Sequence, residues 1–292
     1  MNELPPSFEH DGVTFRFERT VGRGAEGAVG LYRSDPGRVL ALKASHCGKP
    51  AGLAEATEQL QTALELAQTP CGAAALRAPL AYRWAPPCMH AVYDFVPENL
   101  EQWLAAHPAR TPAVVTSLFR QLLTILDCLR AAGVHYTDLK PDNFLVRREA
   151  DAPRLVIGDL GGLGRYGAAA VVVTPRRLPP SLLRATTWEN IDVLTSYLVG
   201  VLVLELLLRS PAAGDAARPL DELFACLHRA GGDECTAAFL TRLRAALAEG
   251  LALEQPETLT LAALALNLTG YRGLFVSLGE VRSLPSLARA LL

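Results

Sequence analysis

Apolar and polar positions follow a short period at the start of the chain. Residues 13–17, 28–32 and 39–43 are brief apolar runs separated by Gly and Pro, which predicts three strands. Over 50–68 the period lengthens. Leu53, Leu60 and Leu64 recur at helical spacing among Ala, Glu and Gln, which predicts a helix. Residues 76–84 and 89–95 return to a strand pattern, broken by Pro86 and Pro87. From about residue 98 the pattern is mostly helical. Thr111-Pro112 is a helix start, an N-cap followed by proline at the first helical position. Val115, Leu118, Phe119, Leu122, Leu126 and Leu129 then form one apolar stripe that ends at Gly133. A loop-rich stretch covers 134–190, followed by an apolar helix near 192–208 and helical segments near 219–230 and 234–252. No internal repeat or low-complexity tract occurs, and the last 40 or so residues are weakly patterned.

The most apolar run, 193–208, is shorter than the roughly 20 residues that span a bilayer and contains Glu205, so it reads as a helix buried in a core. The chain has 292 residues, 50% hydrophobic and 20% charged, which suffices for a substantial core. A net charge of -2 gives no general positive field for nucleic acid. The six cysteines (Cys47, Cys71, Cys88, Cys128, Cys226, Cys235) contain no C-x-x-C pair. Neither a zinc site nor a disulfide framework is expected, and scattered thiols suit a reducing compartment. The first eleven residues are polar and acidic without an apolar core, unlike a secretory signal.

Three segments carry chemistry. Gly22, Gly24 and Gly27 spell G-x-G-x-x-G, followed by Val29. Such glycines let backbone N–H groups approach phosphate oxygens. A dinucleotide-binding loop of the same spelling opens a helix. This one leads into a strand-like run and then a second strand that ends at Lys43. Alone, Lys43 reads as a solvated strand-end charge; the loop 16 residues upstream makes it a phosphate ligand instead.

Residues 134–146, VHYTDLKPDNFLV, are the most specific signal. Asp138 can accept or orient a hydroxyl proton, Lys140 can neutralise a transferred phosphoryl group, and the amide oxygen of Asn143 can ligate Mg²⁺. Asp159, after the apolar run LVIG and before Leu160-Gly161, has the features of a second Mg²⁺ ligand. The 16 residues from Asn143 to Asp159 allow a short hairpin between them.

Glycine loop, Ala41-Leu42-Lys43, Asp138-Leu139-Lys140-Pro141-Asp142-Asn143 and Asp159-Leu160-Gly161, in that order, resemble the signature of eukaryotic-type protein kinases over almost the whole chain. The resemblance implies an α+β, bilobal fold: a β-rich N-lobe with one main helix over 1–96, and a helical C-lobe over 97–292. It implies ATP and Mg²⁺ between the lobes and protein substrates. Gly22, Gly24 and Gly27 would cover the phosphates. Val29 and Ala41 would contact adenine, Lys43 would pair with the α/β-phosphates, and Tyr93 would be the gatekeeper. Asp94, Phe95 and Val96 would form the hinge, with Phe95 in the nucleotide site. Asp138 would be the catalytic base, Lys140 would reach the γ-phosphate, and Asn143 and Asp159 would hold the metals. Glu65, or alternatively Glu58, would pair with Lys43. Asp192 resembles the buried aspartate that braces the catalytic loop.

The chain also departs from that pattern. Tyr136-Thr137 replaces His-Arg, which removes the usual partner of an activation-segment phosphate and predicts activity without such phosphorylation. Leu160 replaces Phe, and Pro179-Pro180-Ser181 replaces Ala-Pro-Glu, so the usual buried arginine pair there is in doubt. The short length and degenerate motifs resemble virus-encoded kinases, such as those of herpesviruses, or bacterial effector kinases. Such a protein is expected in the cytoplasm, or in a host cytosol or nucleus. The Asp-Leu-Lys-Pro pattern favours Ser/Thr acceptors. Two other readings stay open: a pseudokinase scaffold that binds without transfer, and a kinase-fold enzyme acting on a small molecule or transferring a nucleotidyl group.

Overall fold

A computed structural model describes residues 4–24, 27–35, 37–48, 52–107, 111–148, 153–167, 173–174, 177–178, 182 and 190–208. The chain divides into two units, Met1–Pro97 with Val156–Gly161, and Glu98–Leu155 with Gly162–Leu292. Together they make an α+β fold of the kinase type, the first unit rich in strands and the second in helices.

The first unit is a six-stranded antiparallel sheet. Its strands are β1 (Ser7–His10), β2 (Val13–Gly24), β3 (Gly27–Ser34), β4 (Val39–Ser45), β5 (Ala81–Ala85) and β6 (Cys88–Asp94), in the order β1-β2-β3-β4-β6-β5. Asp11 and Gly12, both at positive φ, close the first hairpin, as a primed turn requires. One face packs Phe8, Phe15, Tyr32, Leu40, Leu42 and Val92 into a common core. Phe8 stacks on Phe15 at 5.4 Å, and burial pushes the Tyr32 phenol up to about 12.

Helix α1 (Leu53–Ala67) starts a turn later than its sequence pattern predicts and buries Ala56, Leu60, Ala63 and Leu66. A short helix, α2 (Pro70–Ala75), follows. Its N-cap Thr69 accepts a hydrogen bond from the Gly72 N–H, and Pro70 opens its first turn. The expected strand over 76–84 is only β5, because the chain first runs alongside Ile157 through a parallel bridge at Leu76.

One expectation about cysteine is overturned. Cys47 and Cys88 form a disulfide, with Cα atoms 4.0 Å apart. The antiparallel register of β4 and β6 pairs Ser45 with Met89, so residues just beyond those ends face each other across 41 positions of sequence. Local spacing carries no trace of such a pairing, and these two thiols no longer argue for a reducing compartment.

After the sheet come α3 (Leu100–Ala106), α4 (Pro112–Ala131), β7 (Val134–Tyr136), β8 (Phe144–Arg148), β9 (Pro153–Ile157), β10 (Leu163–Arg165) and α5 (Ile191–Leu208), all in the second unit except the last two residues of β9. A capping box between Asn99 and Gln102 starts α3, and Thr111 caps α4. The stretch 134–190, read from sequence as loop-rich, holds two small ladders, β7 with β10 and β8 with β9. Every residue of α5 from Ser196 to Leu207 is buried, so the helix has no polar face and lies inside protein. Among the described residues no helix is long and apolar enough to cross a membrane. The helical segments expected near 219–230 and 234–252, and Pro179-Pro180-Ser181, lie outside the described residues.

Candidate active site

The glycine loop is the tip of the β2–β3 hairpin, where Gly24 pairs with Gly27. Its three glycines have different reasons to lack a side chain. At Gly27 φ is +155°, and a Cβ would lie 1.9 Å from the Ala44 carbonyl oxygen, so packing on β4 already forbids one. At Gly22 and Gly24 a Cβ would meet nothing within 4 Å. Those two leave open space above the hairpin, the kind of room a phosphate group needs. Val29 lies opposite Lys43, and Ala41 opposite Tyr93, in the β3–β4 and β4–β6 ladders. Ala41 and Tyr93 are buried, and Phe95 is half-buried just past the end of β6.

Lys43 donates to Asp159 Oδ1 at 2.8 Å, within the first unit. The same oxygen accepts the Gly161 N–H at 3.1 Å. Glu65 and Glu58, the sequence candidates to partner Lys43, are both exposed on α1. A polar side chain that α1 turns toward the Asp159 segment is Gln59, whose Nε2 donates to the Gly161 carbonyl at 3.1 Å. At about 100° per residue, burying Ala56, Leu60 and Ala63 leaves Gln59 inward and turns Glu58 and Glu65 about 100° and 120° away from it in the same sense. The resemblance singled out the glutamates; the phase of the buried stripe adds Gln59.

In the second unit, Asp138 gathers three donors. Its Oδ1 accepts from Thr174 Oγ1 at 2.5 Å, and its Oδ2 accepts from Lys140 Nζ at 2.7 Å and Asn143 Nδ2 at 2.6 Å. Lys140 also donates to Thr174 at 3.1 Å, and Asn143 Nδ2 to the Asp138 carbonyl at 2.9 Å. Pro141 opens a 3₁₀ turn over Pro141–Asn143 that folds the amide back onto the carboxylate. Buried Tyr136 and Phe144, edge to face at 6.2 Å, fix the two ends of the loop. Gly162 completes it. A Cβ there would lie 2.5 Å from the Asp138 nitrogen, and its carbonyl accepts the Thr137 N–H at 3.0 Å. Sequence reading missed Thr174, 36 residues away, and credited Gly161 rather than Gly162.

One further expectation needs correction. Asp192 is 45% exposed and accepts from Tyr166 Oη at 3.1 Å, with Arg130 3.3 Å away. It tethers the end of α4 and the β10 exit instead of bracing the catalytic loop, because the first turn of α5 buries Ile191 and Leu194 and leaves Asp192 on its half-exposed side. A different buried arginine pair lies close by in the chain. Arg177 makes a bidentate contact with Glu205, which is 1% exposed in the middle of α5. The Arg177 N–H also bonds the Thr174 carbonyl at 3.0 Å, so this ion pair anchors the turn that presents Thr174 to Asp138.

The donors suit a hard divalent cation. Asn143 turns its amide nitrogen onto Asp138, which leaves the oxygen as its possible ligand atom. The Asp159 carboxylate is 38% exposed. Each is a hard oxygen donor of the kind that Mg²⁺ takes together with water and phosphate oxygens.

The protein kinase domain family matches residues 15–226 of this chain. The chain is similar to Dual specificity testis-specific protein kinase 1 of Rattus norvegicus, 33% identical over 138 residues, covering 44% of this chain and 22% of that protein. The Homo sapiens protein of that name is 31% identical over 167 residues, covering 52% of this chain and 26% of the relative. The matches thus span about a quarter of those relatives' length or less. Fold, motif order and family match agree, and the chain belongs to the protein kinase family.

Proposed function

We propose that this chain transfers the γ-phosphate of ATP to serine and threonine hydroxyls of protein substrates, with Mg²⁺ as its metal. The observation that carries this reading is the Asp138 carboxylate, which already accepts a hydrogen bond from an aliphatic hydroxyl, that of Thr174, with the Lys140 ammonium beside both. An acceptor serine or threonine would present the same chemical group to the same base. The hydroxyl proton passes to Asp138 as the oxygen bonds to the γ-phosphorus and the bond from that phosphorus to the β,γ-bridging oxygen breaks, so that ADP leaves. Lys140 offsets charge on the phosphoryl oxygens, and Lys43 holds the α/β-phosphates. Gly22 and Gly24 leave their backbone accessible from above. Asn143 and Asp159 would hold the metal, which supplies positive charge to the phosphates when bound.

Thr137 supports independence from activation-segment phosphorylation. It is buried, donates its N–H to Gly162, and offers no guanidinium to a phosphate. The test is a radiolabelled γ-phosphate assay with generic protein substrates, run beside Lys43→Met and Asp138→Asn and with phosphatase-treated enzyme. Label on serine and threonine that is lost in both variants and survives phosphatase supports the proposal. Nucleotide binding without transfer would instead make the chain a scaffold. Label on a small molecule, or transfer of the α-phosphate, would make it a different enzyme. A second reading follows from the printed names of the two relatives: phosphotyrosine among the products would mark dual specificity.

A further inference from the structure

We infer that Gln59 and Arg77 are positioning residues that hold the Asp159 carboxylate in place for the metal. The inference rests on the reading of Asp159 as a metal ligand. Asp159 lies in a short non-ladder segment, 158–161, just past the end of β9. Side chains from distant parts of the first unit bind that segment at both ends. Arg77 Nη2 donates to the Gly158 carbonyl at 3.3 Å, and Gln59 Nε2 donates to the Gly161 carbonyl at 3.1 Å. Between them, Asp159 Oδ1 accepts from Lys43 and from the Gly161 N–H.

Each of the two clamping groups is itself held. The Arg77 guanidinium lies over the Tyr93 ring, 4.5 Å from its centroid, and Nη1 reaches the Asp94 carbonyl at 3.3 Å. The Arg77 N–H donates to the Ile157 carbonyl at 2.8 Å, so backbone and side chain both grip the strand end that leads to Asp159. Gln59 is fixed by the buried stripe of α1. The chemistry of each contact is specific. A carbonyl oxygen requires a donor, which an amide provides and an ionised carboxylate at position 59 would not. Arg77 adds a second cation, besides Lys43, to a segment whose aspartate must stay ionised to bind metal. Partners that orient metal ligands in this way commonly matter about 10- to 100-fold to metal affinity.

The test uses the full chain and a non-hydrolysable ATP analogue. Thermal stabilisation is recorded as MgCl₂ is titrated at saturating analogue, and analogue affinity is measured separately in EDTA. In Gln59→Leu and in Arg77→Met, the half-saturating Mg²⁺ concentration should rise about tenfold, with analogue affinity in EDTA unchanged. Arg77→Lys, which keeps the charge and a donor but not the planar fork, should restore part of the loss. An unchanged Mg²⁺ midpoint in Gln59→Leu and Arg77→Met overturns the inference. If Arg77→Met does not fold, Gln59→Leu decides alone. Asp159→Ala separates the two layers: if it leaves the Mg²⁺-dependent stabilisation intact, the metal reading itself fails, whatever the other variants do.

Discussion

The loops around Asp138 and Asp159 solve one problem in opposite ways. In the proposed reaction each holds an aspartate ready for phosphate chemistry. Asp138 takes two of its side-chain partners from two and five residues away, Lys140 and Asn143, and only Thr174 from further off. The Asp159 segment takes its partners from 81, 102 and 116 residues away, through Arg77, Gln59 and Lys43. One loop is nearly self-contained. The other has its geometry only when the sheet, α1 and the chain after α2 are all in place. Damage to the first unit should therefore reach Asp159 and spare Asp138.

The sharpest test of that contrast is Asp138→Asn. It should lower phosphoryl transfer by about 10² to 10⁴ while nucleotide- and Mg²⁺-dependent stabilisation persists, measured by steady-state kinetics beside thermal shift. Loss of both together would mean that the two loops are not separable. Next in size is Arg177→Met, which strands a buried carboxylate and should cost about 3–5 kcal/mol in denaturant unfolding. Arg177→Met combined with Glu205→Leu should recover most of that stability. If turnover stays depressed in the recovered protein, the ion pair acts by presenting Thr174 and not only by stabilising α5.

Gly162→Ala forces a Cβ toward the Asp138 backbone. A shift of about 1 Å there would lower kcat by about 10² with KM for ATP unchanged. Normal kcat would show that the loop is less tightly set than its contacts imply. The smallest effect concerns His135. Burial holds this imidazole below its ordinary pKa, with an opposing contribution from the Arg165 backbone. The unfolded chain therefore takes up a proton before the folded one does. Stability is full above about pH 6.5 and falls as pH drops from there toward the depressed folded value. His135→Leu should flatten that acid limb of the stability curve, and an unchanged limb would assign it to other groups.

The same contrast explains what could be read in the sequence. Asp138, Lys140 and Asn143 stand within six residues, so their spacing alone describes their geometry. Glycine punctuation and the apolar stripes revealed most of the sheet, α4 and α5. Gln59 stayed hidden because a helix offers several polar faces, and which one turns inward depends on packing. Thr174, Gly162 and the Cys47–Cys88 bridge depend on chain segments meeting at long range. Glu205 was visible only as a blemish in an apolar run, since its partner Arg177 lies 28 residues earlier. The small ladders of the second unit were missed because three- to five-residue strands leave too little periodicity to detect.

The return of Val156–Gly161 to the first unit has a mechanical meaning. Lys43 and Asp159, the proposed phosphate cation and metal ligand, ride on one carriage, although 116 positions separate them along the thread. Asp138, the proposed proton acceptor, belongs to the other unit. The fold of that one unit therefore sets Lys43 against Asp159, whatever happens along the thread between them.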